Sequence, residues 1–415
     1  MNPMRLLLFP LILLSQVAYA NELGDLLRIV LLQPQIRAAS GQGDATTGPY
    51  PSSADLSASG HEYVHKPVVS ALSPIPAEVG PASNRITKIG VDYALPVDLF
   101  GVIAASRERA GKDLAASELL LRQQALLRLH QTSNAYFTLQ ALQQQREALA
   151  VAKKRVAATV MRVKRAIELG NAPGSDARSV GSELARLEAD QAKFDEAIRR
   201  AQTDLDETSG RKGFQPAATV TAIPAWEASI EETLPTRIAQ AREDAARARA
   251  EESRRALKPS LTVEAGYAHN LGAGDNRDIW ALGGVVNIPL GGSSKREADA
   301  QRLKAEEARE QSEAARREGV RQLAALHAAF DAALADALAL EQGTVDREQV
   351  IRLLTGVKRL DGRKLKKLLR NERDLLDTRY RLVQAYARAA VTWSSAEVLV
   401  GMAPETYIAR WDATP

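Results

Sequence analysis

Few residues of this 415-residue chain have the types and spacing that covalent or metal chemistry needs. The chain has five histidines and no cysteine. His61 and His65 stand four residues apart, a spacing that suits two zinc ligands on one helix face. They fall in a stretch rich in Gly, Ser and Pro, however, and no third ligand is near. We interpret them as loop histidines and expect no metal, no cofactor and no enzymatic activity.

A run of basic residues is the second group with chemical potential. It comprises Arg363, Lys364, Lys366, Lys367 and Arg370. On a helix, positions 363, 367, 370 and 374 share one face, so the run predicts a local positive surface. The whole chain carries only +4 in mixed-sign segments, which argues against a surface dedicated to nucleic acid.

The first twenty residues have the pattern of a secretory signal peptide. Arg5 precedes an apolar stretch from Leu6 to Leu14, and Ala18-Tyr19-Ala20 is a small-x-small cleavage pattern. An N-terminal membrane anchor is the alternative, but the apolar stretch is shorter than the ~18–20 residues that a spanning helix needs. We therefore expect an exported protein, cleaved near Ala20 and without disulfides.

Long helices must position everything else. The segment from Val102 to Leu169 lacks proline and is dominated by strong helix formers. One unbroken helix of this length would span about 100 Å, so it must lie against helices of similar length. The other predicted helical segments are a short one within 21–42, Asp176–Thr208, Trp226–Leu257 with an interruption at Pro235, Ser294–Leu360, and Leu365–Val400.

Three segments alternate apolar and polar residues, the period of a β-strand: Thr87–Pro96, Leu261–Ala268 and Trp280–Ile288. Most of 40–84 is predicted to be loop, with an extended part at Glu62–Val69. Strands of this length and alternation are typical of a membrane barrel, although a small soluble sheet has the same pattern. We interpret Tyr93, Tyr267 and Trp280 as an interfacial aromatic belt.

The chain also predicts an internal duplication. Strand ends, turn glycines and helix-ending glycines recur after roughly 190 residues, as expected of a duplicated unit. The predicted organisation is a signal peptide at 1–20, a first repeat at 21–210, a linker at 211–225, a second repeat at 226–401 and an irregular tail at 402–415.

Several short motifs, taken in order, resemble the TolC family of outer-membrane efflux channels. They are the Leu-Pro and Ile-Pro strand ends at Pro96 and Pro289, Asp98-Leu99-Phe100-Gly101, Glu168-Leu169-Gly170-Asn171, Leu205 with Gly210, and Asn371-Glu372-Arg373-Asp374-Leu375-Leu376-Asp377. The resemblance covers about Thr87 to Pro404. Residues 21–85 depart from the family pattern, being richer in loop.

The resemblance implies a mainly α fold with membrane β structure. Three subunits would form a homotrimer in which long antiparallel helices build an α-barrel tunnel. Four strands per chain would contribute to a 12-stranded transmembrane β-barrel in outer-membrane lipid of a Gram-negative cell. The implied function is a passive duct that docks with a periplasmic adaptor and an inner-membrane pump in tripartite efflux. The alternatives are the duct of type I protein secretion and, from another class, a periplasmic adaptor protein.

The resemblance also assigns places to individual residues. The pore mouth, or tip, would be formed around the two turns at Gly170 and Gly362, with Asp176, Asp361, Lys367 and Arg370. The strand-to-helix junctions would be Pro96, Gly101, Pro289 and Gly292.

Lys367 and Arg370 stand where the family often places carboxylates, which suggests a cationic collar favouring anionic solutes. The alternative is a solvated basic patch that meets an acidic adaptor surface. It could equally form salt bridges to Asp361, Glu372 or a neighbouring subunit's Asp176.

Overall fold

The structure, a computed structural model, describes residues 23–33, 53–62, 85–216, 223–227, 232–272, 277–289, 291–356 and 362–412. The chain forms two compact units. The helical unit comprises residues up to 41, 118–238 and 314–415, and the strand unit comprises 42–117 and 239–313. The predicted signal peptide and Asp361 lie outside the described residues.

The strand unit contains a four-stranded antiparallel sheet in the order β1-β2-β3-β4. The strands are β1 (Ser53–Glu62), β2 (Arg85–Val97), β3 (Ser260–Gly272) and β4 (Arg277–Asn287). The prediction for β1 was wrong, because this strand lies in sequence expected to be loop. Leu56 is its only large aliphatic residue, so small side chains conceal the alternation. Beyond Glu62, the predicted extended segment lies outside the described residues.

The register gives the sheet one apolar and one polar face. Leu56 pairs with Val91, Val91 with Tyr267, and Tyr267 with Trp280, so these four side chains form one row across the apolar face. On β2 the apolar positions run from Ile89 to Val97, a length of about 26 Å along the strand at the usual rise. The opposite face carries Asp55, Asp92 and Glu264.

The apolar face is largely uncovered. The exposed fraction is 79% for Leu56, 80% for Trp280 and 83% for Leu282. A soluble sheet would bury such a face. An exposed apolar surface of this kind is typical of a site that contacts lipid or another protein.

The predicted long helices are present. They are α2 (Val102–Glu168), α3 (Gly174–Ser209), α4 (Leu234–Arg255), α5 (Gly292–Thr355) and α6 (Gly362–Val400), after a short helix α1 at 23–31. Helix α4 begins at Leu234 instead of Trp226, with Pro235 in its first turn, where its missing N–H costs no helical hydrogen bond. Helix α5 ends at Thr355, before the predicted end at Leu360.

The C-terminal tail corrects another prediction. Residues Pro404–Asp412 form helix α7, not an irregular segment. Tyr407, Ile408 and Trp411 are buried in the main core of the helical unit with Trp393. The Trp411 ring lies 4.8 Å from Trp393 and 5.0 Å from Phe137, between ring centroids. The three- and four-residue spacing of the buried α7 residues was the helical signal in the sequence.

A second core aligns the helices towards the tip. On α2, Leu149, Ala152, Val156 and Val163 are buried at alternating three-, four- and seven-residue intervals. They pack with residues that include Val180 and Leu187 of α3 and Leu365 and Leu376 of α6. This is the apolar seam of a coiled coil, in which side chains of one helix pack into the spaces between side chains of its neighbours.

Helix α5 leaves apolar surface uncovered. Among the described helices it alone is long and apolar enough by composition to cross a membrane, and only 22% of that apolar stretch is buried. Leu338, Val345 and Leu353 are exposed, at 65%, 45% and 74%. A single chain therefore does not bury this side of α5.

Candidate functional site

The first tip turn is set by a glycine. Gly170 has φ +70° and lies two residues after Glu168, the last residue of α2. Its N–H donates to the Ile167 carbonyl at 2.9 Å, and the Asn171 N–H donates to the Ala166 carbonyl at 2.7 Å. This pair of hydrogen bonds is the Schellman motif, which requires a left-handed residue at the position of Gly170.

The structure brings Asp176 and Gly362 together. Asp176 is 9% exposed, and its carboxylate lies 3.5 Å from the position that a Cβ on Gly362 would occupy. Gly362 is the first residue of α6, whose first turn has no acidic residue. Asp176 thus supplies a negative charge beside the positive end of the α6 dipole.

Lys367 and Arg370 are both exposed on α6. The Arg370 guanidinium lies 3.9 Å from the Asp374 carboxylate, a loose ion pair on the same helix. Glu372 is 6% exposed and its ion pair is with Arg155 of α2, at 3.6 Å. Among the described residues Glu372 thus pairs with Arg155 and not with Lys367 or Arg370, while the cationic collar and the solvated basic patch both stay predictions.

Ion pairs that sequence reasoning missed connect the helices near the tip. Glu183 of α3 accepts from Arg186 at 2.6 Å and from Arg373 of α6 at 2.5 Å. Burial acts to raise the pKa of Glu183, but the hydrogen bonds from Arg186 and Arg373 outweigh it and hold the pKa below its usual value. The pairing of Glu183 with Arg186 is visible in the sequence, whereas the distant Arg373 is not.

The predicted junction before α2 has a defined geometry. Gly101 has φ +73°, and its carbonyl accepts from Arg255 Nη1 at 2.9 Å. The Asp98 carboxylate accepts from the N–H groups of Ile103 and Ala104, at 3.2 and 3.0 Å. Asp98 is therefore the capping group of α2. The sequence pointed to this segment without identifying the capping role.

The other junction residues mark ends of elements. Pro96 is the last residue but one of β2, and Pro289 lies two residues after β4. Gly292 is the first residue of α5. Each lies where a strand gives way to a helix.

The predicted aromatic residues all lie on the apolar face of the sheet. Tyr93 is 43% exposed and Trp280 80%. The Tyr267 and Trp280 rings pair across β3 and β4 with centroids 4.8 Å apart. The Tyr267 hydroxyl donates to Asp278 at 2.8 Å, so its polar tip has a partner while the ring stays on the apolar side.

Comparison with known proteins gives this arrangement a family context. Residues 59–211 match the family model described as outer membrane efflux protein. No curated protein sequence matches the chain. The family resemblance predicted from the sequence is thus confirmed.

Solved structures with the same fold cover almost the whole chain. The outer membrane protein VceC of Vibrio cholerae matches with a TM-score of 0.77 at 18% identity, over 93% of this chain and 99% of VceC. The MtrE outer membrane channel of Neisseria gonorrhoeae matches with a TM-score of 0.70 at 17% identity, over 92% of this chain and 89% of MtrE. The CmeC outer membrane channel of Campylobacter jejuni matches with a TM-score of 0.69 at 13% identity, over 96% of this chain and 89% of CmeC.

The predicted fold class is therefore confirmed. The chain has the fold of these channels, with long helical hairpins and a four-stranded antiparallel sheet.

Proposed function

We propose that the protein is the outer-membrane channel of a tripartite efflux system. The observation that carries the proposal is the sheet, whose exposed apolar face is matched by a polar face behind it. An outward apolar band ~25 Å tall over a polar interior is the arrangement of a membrane β-barrel. By this proposal the apolar face contacts outer-membrane lipid and the polar face lines the duct.

Closure of the barrel requires further copies of the chain. The sheet has four strands, and β1 and β4 are its edges. Unpaired strand edges do not occur in lipid, because nothing there satisfies their backbone groups. Three chains would close a barrel of twelve strands. The uncovered apolar side of α5 supports the same assembly, since a neighbouring subunit would bury Leu338 and Leu353.

The helical hairpins are proposed to form the periplasmic tunnel. In this assignment the tip around Gly170 and Gly362 is the mouth that meets a periplasmic adaptor and, through it, an inner-membrane pump. The chain acts as a passive duct and not as an enzyme. A type I secretion duct would have the same architecture, and the pump partner would distinguish the two.

The adaptor alternative fits the topology less well. Adaptors are built around one helical hairpin interrupting a β domain. Here two hairpins, α2–α3 and α5–α6, each follow a strand of one shared sheet.

Membrane fractionation and conductance test the proposal. We expect the mature chain in the outer-membrane fraction, as a heat-resistant trimer in detergent. Purified trimer added to a planar lipid bilayer should produce discrete conductance steps. Soluble monomer in the periplasm, or trimer without conductance, would overturn the assignment.

A further inference from the structure

A cavity of about 400 Å³ opens between α2, α5 and α6 near the tip. Arg155 and Arg162 reach it from α2, and Arg352 and Glu348 from α5. Glu372 of α6 also lines it and is its most deeply buried charged group. All these residues belong to the helical unit.

Glu372 Oε2 has Arg155 as an ion-pair partner but accepts no hydrogen bond of normal length. The residue is 6% exposed, and its Oε2 is buried with no hydrogen bond from any part of the chain that the structure describes. Arg155 Nη1 stands 3.6 Å away, beyond hydrogen-bond distance. The atom can therefore accept a hydrogen bond from a molecule bound in the cavity.

The lining of the cavity also offers hydrogen-bond donors, which need acceptors. Three arginines, Arg155, Arg162 and Arg352, line the cavity against two carboxylates, and the carboxylate of Glu348 is already paired with Arg379. Arg162 Nη1 donates to the Thr355 carbonyl at 3.1 Å, which fixes this side chain at the wall. The cavity is thus electropositive, and guanidinium groups bind the oxygens of oxyanions in a fork geometry.

We propose that this cavity binds a small oxyanion that still carries a proton at neutral pH, namely hydrogen phosphate. The P–OH group donates to Glu372 Oε2, and the ionised oxygens accept from the guanidinium groups of the wall. Sulfate has the same size and shape but no proton to donate at neutral pH. The site therefore distinguishes phosphate from sulfate. This inference stands independently of the proposed channel function.

The protonation state of Glu372 should make the preference for phosphate over sulfate depend on pH. Burial raises the pKa of Glu372, with Arg155 and Arg379 opposing the shift and Glu348 adding to it. Arg162 and Arg352 are the other charged groups lining the cavity. As the pH falls through this raised pKa, the carboxyl acquires a proton that it can donate to sulfate. The preference for phosphate should therefore decline on acidification.

Isothermal titration calorimetry of the purified full-length protein in detergent tests the proposal. Inorganic phosphate and sulfate are compared at pH 7.5 and equal ionic strength. We expect phosphate to bind about ten- to a hundredfold more tightly than sulfate, from the one hydrogen bond that sulfate cannot make. Absence of phosphate binding would mean that water alone fills the cavity and would overturn the inference.

Three variants make the test specific. Glu372→Gln should abolish the phosphate preference, because the amide donates to sulfate as readily as it accepts from phosphate. Arg352→Gln should weaken both anions, and Lys367→Gln, outside the cavity, should alter neither. A preference that survives Glu372→Gln in folded protein would contradict the proposal. If that variant does not fold, Arg352→Gln and the pH series still test anion binding in the cavity. Bilayer conductance tests the channel function separately.

Discussion

Single residues determine where the long helices stop. Helix α6 ends at Val400, and Gly401 follows with φ +74°. Arg237 Nη2 donates to the carbonyls of Val400 at 2.6 Å and Gly401 at 3.2 Å, which satisfies the end of the helix. A Cβ on Gly401 would stand 2.7 Å from the Leu234 Cβ. Both the backbone angle and the contact require glycine here.

Gly401→Ala should therefore lower the free energy of unfolding by about 1–3 kcal/mol, from left-handed strain and crowding. Gly181→Ala is the matched control, because Gly181 lies inside α3 with nothing within 4 Å of an added Cβ. That variant should gain about 0.5–1 kcal/mol through helix propensity. Thermal unfolding followed by circular dichroism measures both changes. Shifts in the same direction would contradict this account of Gly401.

At the scale of elements, the ion pair of Glu183 with Arg373 connects α3 to α6. The pKa of Glu183 is lowered in the folded state, so its contribution to stability is present above the unfolded pKa, near 4.5. That contribution is lost as the pH falls through the folded pKa. Acid should therefore loosen the contact between these two helices.

Arg373→Gln should raise the pKa of Glu183, because one of its two guanidinium donors is removed. The loss of stability on acidification should then begin at a higher pH. At pH 7 the cost should be about 1 kcal/mol, since the Arg373 side chain is half exposed. Unfolding temperatures between pH 7 and 3 provide the measurement, with Arg363→Gln as the control. Identical pH profiles for the two variants would show that Arg373 does not lower the pKa of Glu183.

At the scale of the whole molecule, the two faces of the sheet are proposed to meet different media. Leu282 and Gly283 are neighbours on β4, so their side chains point to opposite faces. Leu282 is 83% exposed on the apolar face, and nothing lies within 4 Å of a Cβ added at Gly283. This adjacent pair can report which face contacts lipid.

Leu282→Lys should reduce insertion into lipid vesicles, at a cost of about 2–4 kcal/mol per chain near the bilayer midplane. Gly283→Lys should insert nearly as well as wild type, because its charge would face the duct. The inserted fraction is measured as protease-protected, heat-resistant trimer. Equal loss in both variants would argue that the apolar face does not meet lipid.

The prediction of the site was uneven for a physical reason. Gly101 and Gly170 were recognisable because a left-handed turn selects glycine locally. Asp98 lay in a recognised motif, but its capping role needs the coordinates of the first turn of α2. The partners of Glu183 and Glu372 were inaccessible, because Arg373 and Arg155 are brought to them only by helix packing.

Sequence patterns were enough to predict the long helices, three of the four strands and the family resemblance, while the duplication stays a prediction. These features depend on local periodicity and on glycine and proline positions, which a linear chain displays directly. Three features could be seen only in the tertiary structure: the pairing of β1 in the sheet, the packing of α7, and the cavity lined by Glu372. Strand β1 has little pattern of its own and is specified by its pairing with β2, while the cavity exists only where three helices meet.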